Sequence, residues 1–265
     1  MTTTTRFLFA LGLSFLSIFT AVPGMAQTKS AVGIILLHGY TGLPTGHIAK
    51  LTAALRAEGY TVRAPVMPWS RDEAFSASYT ECLKIIGTEV QALRSRGIQT
   101  IVVGGHSLGA HMAMAYACTD RHLAGVIILA PGHFPEMMPG KHAEVAESVA
   151  QAKTLMSQGH LDQKYEFIDI NNGSTISIKA KPADYLSFCD PDGPSQLSNA
   201  LYFRRPYPVL VIAEDGPRFD VKTQIFDVLR KNDKSLFIQS TASHVDVPDK
   251  SIQAVSDWLK TIIAP

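Results

Sequence analysis

Cysteine is scarce in this sequence. Cys82, Cys118 and Cys189 are the only three. They form an odd set without metal-ligand spacing, so at most one disulfide can form and all three read as structural residues. Surplus charge is lacking as well: 24 Lys and Arg stand against 23 Asp and Glu, a formal net charge of +1. That balance argues against nucleic acid or an anionic membrane surface as the main partner. No internal repeat or low-complexity segment is visible, which excludes a repeat architecture. Long apolar runs are missing beyond the N-terminus. Phe7 to Val22 is the one extended stretch, and it falls short of the ~20 residues that a membrane span needs. Arg6 stands ahead of it and Gly24-Met25-Ala26 follows it, the pattern of an export signal cleaved before Gln27, with a membrane anchor as the competing reading. The sequence thus divides into a signal peptide over 1–26 and a single domain over 27–265 that works in the periplasm or outside the cell, with no stable membrane span after cleavage.

What remains is a chain in which short apolar runs alternate with stretches of helical period, the signature of a parallel sheet covered on both faces. Six strands are predicted, at Val32 to Leu37, Tyr60 to Ala64, Thr100 to Val103, Ala124 to Leu129, Val209 to Ile212 and Ser235 to Gln239. Tyr79, Cys82, Leu83, Ile86, Val90 and Leu93 recur at helical spacing, with Gly97 placed to end that helix. Ile48, Leu51 and Leu55 repeat the pattern before Gly59, and Ile252, Val255, Leu259 and Ile262 predict a last helix that starts near Pro248. Residues 131–205 are too many for an ordinary crossover. They predict a helix ending at Gly159, a hairpin turning at Asn171-Asn172-Gly173, and a cap inserted over the site, where substrate specificity usually resides.

Chemistry concentrates at Gly105-His106-Ser107-Leu108-Gly109. Such a G-x-S-x-G pentad arises by chance in roughly one chain in ten of this length, so its setting carries the weight. It follows an apolar strand and precedes a helix, where a sharp turn exposes the serine hydroxyl. Serine needs a base to take its proton. Among nine histidines, His244 lies between the last strand and the last helix, at the same carboxyl edge of the sheet as Ser107. His106, inside the turn, is placed to pack or to hold a neighbour by hydrogen bonding.

With His38-Gly39-Tyr40-Thr41-Gly42 after the first strand, the pentad, and His244 before the last helix, the chain resembles the α/β-hydrolase superfamily from about Val32 to Ile263. The resemblance implies a compact, mostly parallel six-stranded sheet with helices on both faces. It also implies a chain order of serine, acid, histidine, and an oxyanion hole made by the backbone N–H groups of Tyr40 and Leu108. His38-Gly39 reads alternatively as only a tight turn. The family sets its aspartate just beyond the strand before the penultimate helix, often ahead of a proline. Here the run is Glu214-Asp215-Gly216-Pro217, and Asp215 is the expected acid if the turn is one residue short, with Asp220, Glu214 and Glu136 as alternatives.

Met67-Pro68-Trp69-Ser70 and Ala130-Pro131-Gly132-His133 are similar to segments of uncharacterised secreted bacterial members of that superfamily. The expected substrate contacts are Trp69 and His133 from these segments, with Tyr185 and Phe188 from the cap. Loop stabilisation is the alternative for the first two. The resemblance implies a serine hydrolase that cleaves a small carboxylic ester or related acyl bond through an acyl-enzyme, without metal or organic cofactor. A peptidase or amidase on the same scaffold and a non-catalytic binding protein are the competing functions.

Overall fold

The computed structural model describes Met1 and residues 28–73, 75–138, 140–216 and 219–263. The export signal expected over 1–26 lies, apart from Met1, outside the described residues. All six predicted strands form, as β1 (Val32–Leu37), β2 (Thr61–Arg63), β3 (Thr100–Ser107), β4 (Gly125–Pro131), β7 (Val209–Ala213) and β8 (Leu236–Gln239). They make one sheet in the order β2-β1-β3-β4-β7-β8, with every pairing parallel.

Alternation within each strand explains why both faces are covered. Ile35, Leu37, Val103, Ile128 and Val211 point to one apolar layer, whereas Ile34, Leu36, Val102, Ile127 and Ile212 point to the other. On the second face lie α1 (Ala49–Ala57), α7 (Val247–Lys250) and α8 (Ile252–Ile263), through Leu51, Leu55, Val247, Val255, Trp258 and Leu259. Each such fully buried side chain contributes about 1.5–3 kcal/mol. The predicted C-terminal helix is broken at Ser251, where φ −98 and ψ 0 interrupt the regular turn.

On the first face lie α2 (Tyr79–Arg94) and α3 (Leu108–Thr119). α2 starts at Ser78, whose side chain accepts from the Glu81 N–H while Glu81 answers the Ser78 N–H, a reciprocal cap that satisfies two otherwise free donors. α3 is apolar all round because it is buried all round. Its run of Gly109, Ala110, Ala113, Ala115 and Ala117 lets neighbours approach closely.

Between β4 and β7 the chain builds α4 (Ala143–Ser157), the antiparallel hairpin β5 (Tyr165–Asn171) with β6 (Ser174–Ala180), α5 (Pro182–Cys189) and α6 (Gln196–Tyr202). Asn172 and Gly173, at φ 50 and 79, make the tight hairpin turn. The helix expected to end at Gly159 ends at Ser157, with Gly159 in the left-handed region at φ 82. α5 and α6 were not read from the sequence, and a single π-helical turn at Lys222–Phe226 stands between β7 and β8. No helix among the described residues is long and apolar enough to cross a membrane.

Candidate active site

Five strands deliver residues to one edge of the sheet, each from its carboxyl end: Tyr40 after β1, Ser107 closing β3, Gly132 after β4, Glu214 after β7 and His244 after β8. In an open parallel sheet this edge is where ligands sit. All five line a cavity of about 720 Å³.

Ser107 has φ 56 and ψ −120, backbone that a non-glycine residue rarely adopts. Its neighbours make this tolerable by having no side chains. A Cβ on Gly105 would lie 2.4 Å from the Gly109 carbonyl carbon and oxygen, and one on Gly109 would lie 2.4 Å from Leu37 O and 2.6 Å from His38 O. The hydroxyl therefore stands where strand turns into helix, at the positive end of the α3 dipole. The N–H of Leu108, first residue of that helix, and the N–H of Tyr40 have no acceptor among the described residues. They can serve a developing oxyanion.

The Tyr40 loop is held rigidly. His38 Nδ1–H donates to Gly39 O at 2.8 Å and its Nε2 accepts from Met67 N–H at 3.0 Å, which defines a neutral ring. Burial also keeps its pKa low. Trp69 Nε1 donates to His38 O at 2.9 Å, and Thr41 N–H, on a residue at φ 52, donates to Trp69 O at 3.0 Å.

His244 is oriented from two sides. Its Nδ1–H donates to a Glu214 carboxylate oxygen, which leaves Nε2 free as a base toward the cavity. Its backbone carbonyl accepts from His106 Nε2–H at 2.8 Å. His106 is pushed down to about 3, first by burial and then by the neighbouring His244 ring, so it stays neutral and acts as a fixed donor. A Cβ built on Gly132 would lie 2.8 Å from Ser107 Oγ and 3.5 Å from His244 Cε1, so the nucleophile and the ring both border the same bare position.

The carboxylate on His244 differs from the expected one. Asp215 is exposed, and its N–H is engaged with Ala242 O at 2.9 Å. Glu214, the first residue beyond β7, makes the contact, and Gln239 Nε2 donates to its backbone carbonyl at 2.6 Å. The longer glutamate side chain reaches His244 from one position earlier, which is how the short turn before Gly216, at φ 130, is accommodated. Asp220 is exposed and caps the following turn through the Thr223 N–H, and the two Glu136 carboxylate oxygens have no hydrogen-bond partner among the described residues, so Glu136 does not hold His244.

Of the expected substrate contacts, His133 lines the cavity, as do Tyr40 and Leu108. Trp69, Tyr185 and Phe188 do not. Trp69 and Tyr185 are completely buried and Phe188 nearly so. Trp69 braces the Tyr40 loop, Tyr185 stacks on Phe167 and donates to Ile168 O, and Phe188 stacks on Phe75. The sequence reading missed the walls supplied by Phe134, Met137, Met138 and Phe219, and the hairpin tip Ile170–Gly173. Asn171 at that tip donates to Thr41 Oγ1 at 2.8 Å, tying the insertion to the Tyr40 loop. Asp169 also reaches the cavity, and its burial raises its pKa. Cys82, Cys118 and Cys189 are unpaired. Among the described residues no group of three or more His, Cys, Asp or Glu could hold a metal ion.

A sequence model of the alpha/beta hydrolase family matches residues 34–253. No curated protein matches. Among solved structures, one described under two metagenome-derived lipolytic enzymes, LipS and LipT, is 15% identical with a TM-score of 0.60, covering 92% of this chain and 99% of that one. The siderophore hydrolase EstB from Aspergillus fumigatus is 14% identical with a TM-score of 0.59, covering 92% and 93%. The monoacylglycerol lipase of Paleococcus ferrophilus is 18% identical with a TM-score of 0.59, covering 87% and 94%. At these identities the likeness is one of fold.

Proposed function

The chain belongs to the alpha/beta hydrolase family, and from that premise we propose that it is an exported serine hydrolase that cleaves carboxylic esters of small or medium size. The observation that carries this is the strained Ser107 bordering the His244–Glu214 pair in one cavity.

Ser107 Oγ attacks the substrate carbonyl carbon as His244 Nε2 takes the hydroxyl proton. The carbonyl electrons move onto oxygen, where the Tyr40 and Leu108 N–H groups hold the charge; each such donor is worth about 10²- to 10³-fold in rate. Glu214 keeps Nδ1 protonated and stabilises the imidazolium without itself taking the proton. Collapse breaks the ester C–O bond, His244 returns the proton to the leaving alcohol, and the acyl group stays on Ser107. Water, deprotonated by His244, then releases the acid and restores the serine. The lipase and esterase structures among its fold relatives support esters as the first substrates to try.

The test is a fluorophosphonate probe together with a panel of aryl esters of increasing acyl length. Labelling at Ser107 and turnover abolished in Ser107→Ala is the expected result. Folded protein that neither labels nor turns over any ester overturns the proposal. Matched aminoacyl amides separate esterase from peptidase action, and a clear preference for the amide would reassign the reaction. Export is tested by the N-terminus of protein recovered outside the cytoplasm, which should be Gln27.

A further inference from the structure

The end of β4 and the loop after it carry two non-glycine residues in the left-handed region, Ala130 at φ 40 and His133 at φ 72. Ala130 is the extra residue of a bulge, since the β3–β4 register passes from His106 opposite Leu129 to Ser107 opposite Pro131. Backbone of this kind is strained and persists only where its surroundings over-determine it.

Three contacts do so here. Gln196 Nε2 donates to Gly132 O at 3.1 Å, His133 Nε2–H donates to Phe188 O at 2.7 Å, and His111 Nδ1 faces His133 O at 3.4 Å. Asn199 donates to the Tyr79 hydroxyl at 2.9 Å, which turns the Tyr79 proton toward His111 Nε2 at 3.0 Å and leaves Nδ1–H aimed at His133 O. Phe188 and Gln196 belong to α5 and α6, so the late part of the insertion grips the loop by which the chain leaves β4.

Gln196 is the informative member. It opens α6 and is completely buried. Its side chain makes one hydrogen bond among the described residues, to Gly132, while its Oε1 has no partner. A buried amide with half its capacity unmet is destabilising relative to an apolar side chain of the same shape. Packing alone therefore does not account for a glutamine there. The residue it holds does: the bare position at Gly132 faces the reacting groups, since a Cβ there would lie 2.8 Å from Ser107 Oγ and 3.5 Å from His244 Cε1. Gly132 has no positive φ, so an added side chain there is opposed by space rather than by backbone, and the Ser107 hydroxyl would have to give way.

We infer that Gln196 is a positioning residue for the reaction, fixing the gap between Ser107 and His244 by holding the Gly132 carbonyl from the insertion. This rests on the serine-hydrolase reading above. Without the bond the strained loop relaxes and Gly132 moves against the serine hydroxyl, and a misplacement of about 1 Å at a reacting group costs on the order of 10²-fold in rate.

The test uses the full mature chain, with kcat expressed per fluorophosphonate-titrated site so that misfolded protein does not count. In Gln196→Met, kcat and the labelling rate should fall together by about tenfold or more while KM for a short aryl ester stays within about twofold. Gln196→Asn keeps the amide but falls short of Gly132, and it should lose rate likewise if the methionine variant does not fold. Gly132→Ala should fall by about 100-fold, and the double variant should be no slower than Gly132→Ala, because the two act through one contact. Wild-type kcat per site in a folded Gln196 variant, whatever its Tm, overturns the inference, as does full additivity in the double variant. Wild-type protein that turns over no substrate and takes no label overturns the serine-hydrolase reading instead.

Discussion

Glu214 and Asp215 are adjacent acids with opposite fates. One accepts from the His244 Nδ1–H, whereas the other faces solvent. In Glu214→Gln the amide no longer holds the imidazolium, and kcat should fall by about 10²- to 10⁴-fold, while Asp215→Asn should change it by less than about threefold. Steady-state kinetics on one aryl ester decides this, and the reverse order would return the role to Asp215. The meeting of Ser107 and His244 at one sheet edge was legible in the sequence, because a motif and a position between the last strand and helix locate them. The carboxylate that contacts His244 was not, since counting from Pro217 assumes an ordinary turn and takes no account of the extra reach of a glutamate. Aromatic residues were ambiguous for a different reason. Trp69, Tyr185 and Phe188 show apolar character but not which side of a wall they occupy, and all three are turned inward.

The strands were legible because each buries both faces, giving continuous apolar runs that propensity and burial agree on. α5 and α6 were not. They have eight and seven residues, and Asp190-Pro191-Asp192-Gly193-Pro194 between them reads as turn. Tertiary packing makes such short helices stable, since in isolation the nucleation cost exceeds what a turn or two returns. The element on which the site most depends is the passage from β3 into α3. Gly109→Ala would drive a methyl carbon into the Leu37 and His38 carbonyl oxygens. Neither oxygen can retreat without breaking the β1 end of the sheet, so we expect a loss of at least about 3 kcal/mol. Urea denaturation monitored by circular dichroism measures it, and a loss below about 1 kcal/mol would mean the close approach is softer than it looks.

For the molecule as a whole, buried imidazoles set the acid limit. His106 and His111 are each pushed down to about 3, burial being the main cause, against an ordinary value of about 6.5. The folded state therefore declines protons that the unfolded chain accepts. Stability is complete above about pH 6.5 and falls as the pH drops from there toward 3, by up to about 1.4 kcal/mol per pH unit for each of the two. Asp169 acts in the opposite sense, because its raised carboxyl pKa lets the folded state take a proton more readily. Burial lowers His38 and His133 too and raises Asp184 as well as Asp169; four histidines outweigh two carboxyls, and the urea midpoint should drop between pH 7 and pH 5. An unchanged midpoint would mean that one of these rings is charged at little cost.

The insertion leaves the sheet after β4 and returns at β7, and these two strands are neighbours. Its two attachment points are therefore close in space, and a shorter or longer segment could span them with little change in loop-closure entropy. Such an arrangement invites exchange: one ancestral sheet could exchange this module for another and acquire a new specificity without refolding. The clamp from Gln196 to Gly132 limits that freedom. A transplanted module must bring its own grip on the loop after β4, or the new enzyme inherits a pocket but not an aligned nucleophile.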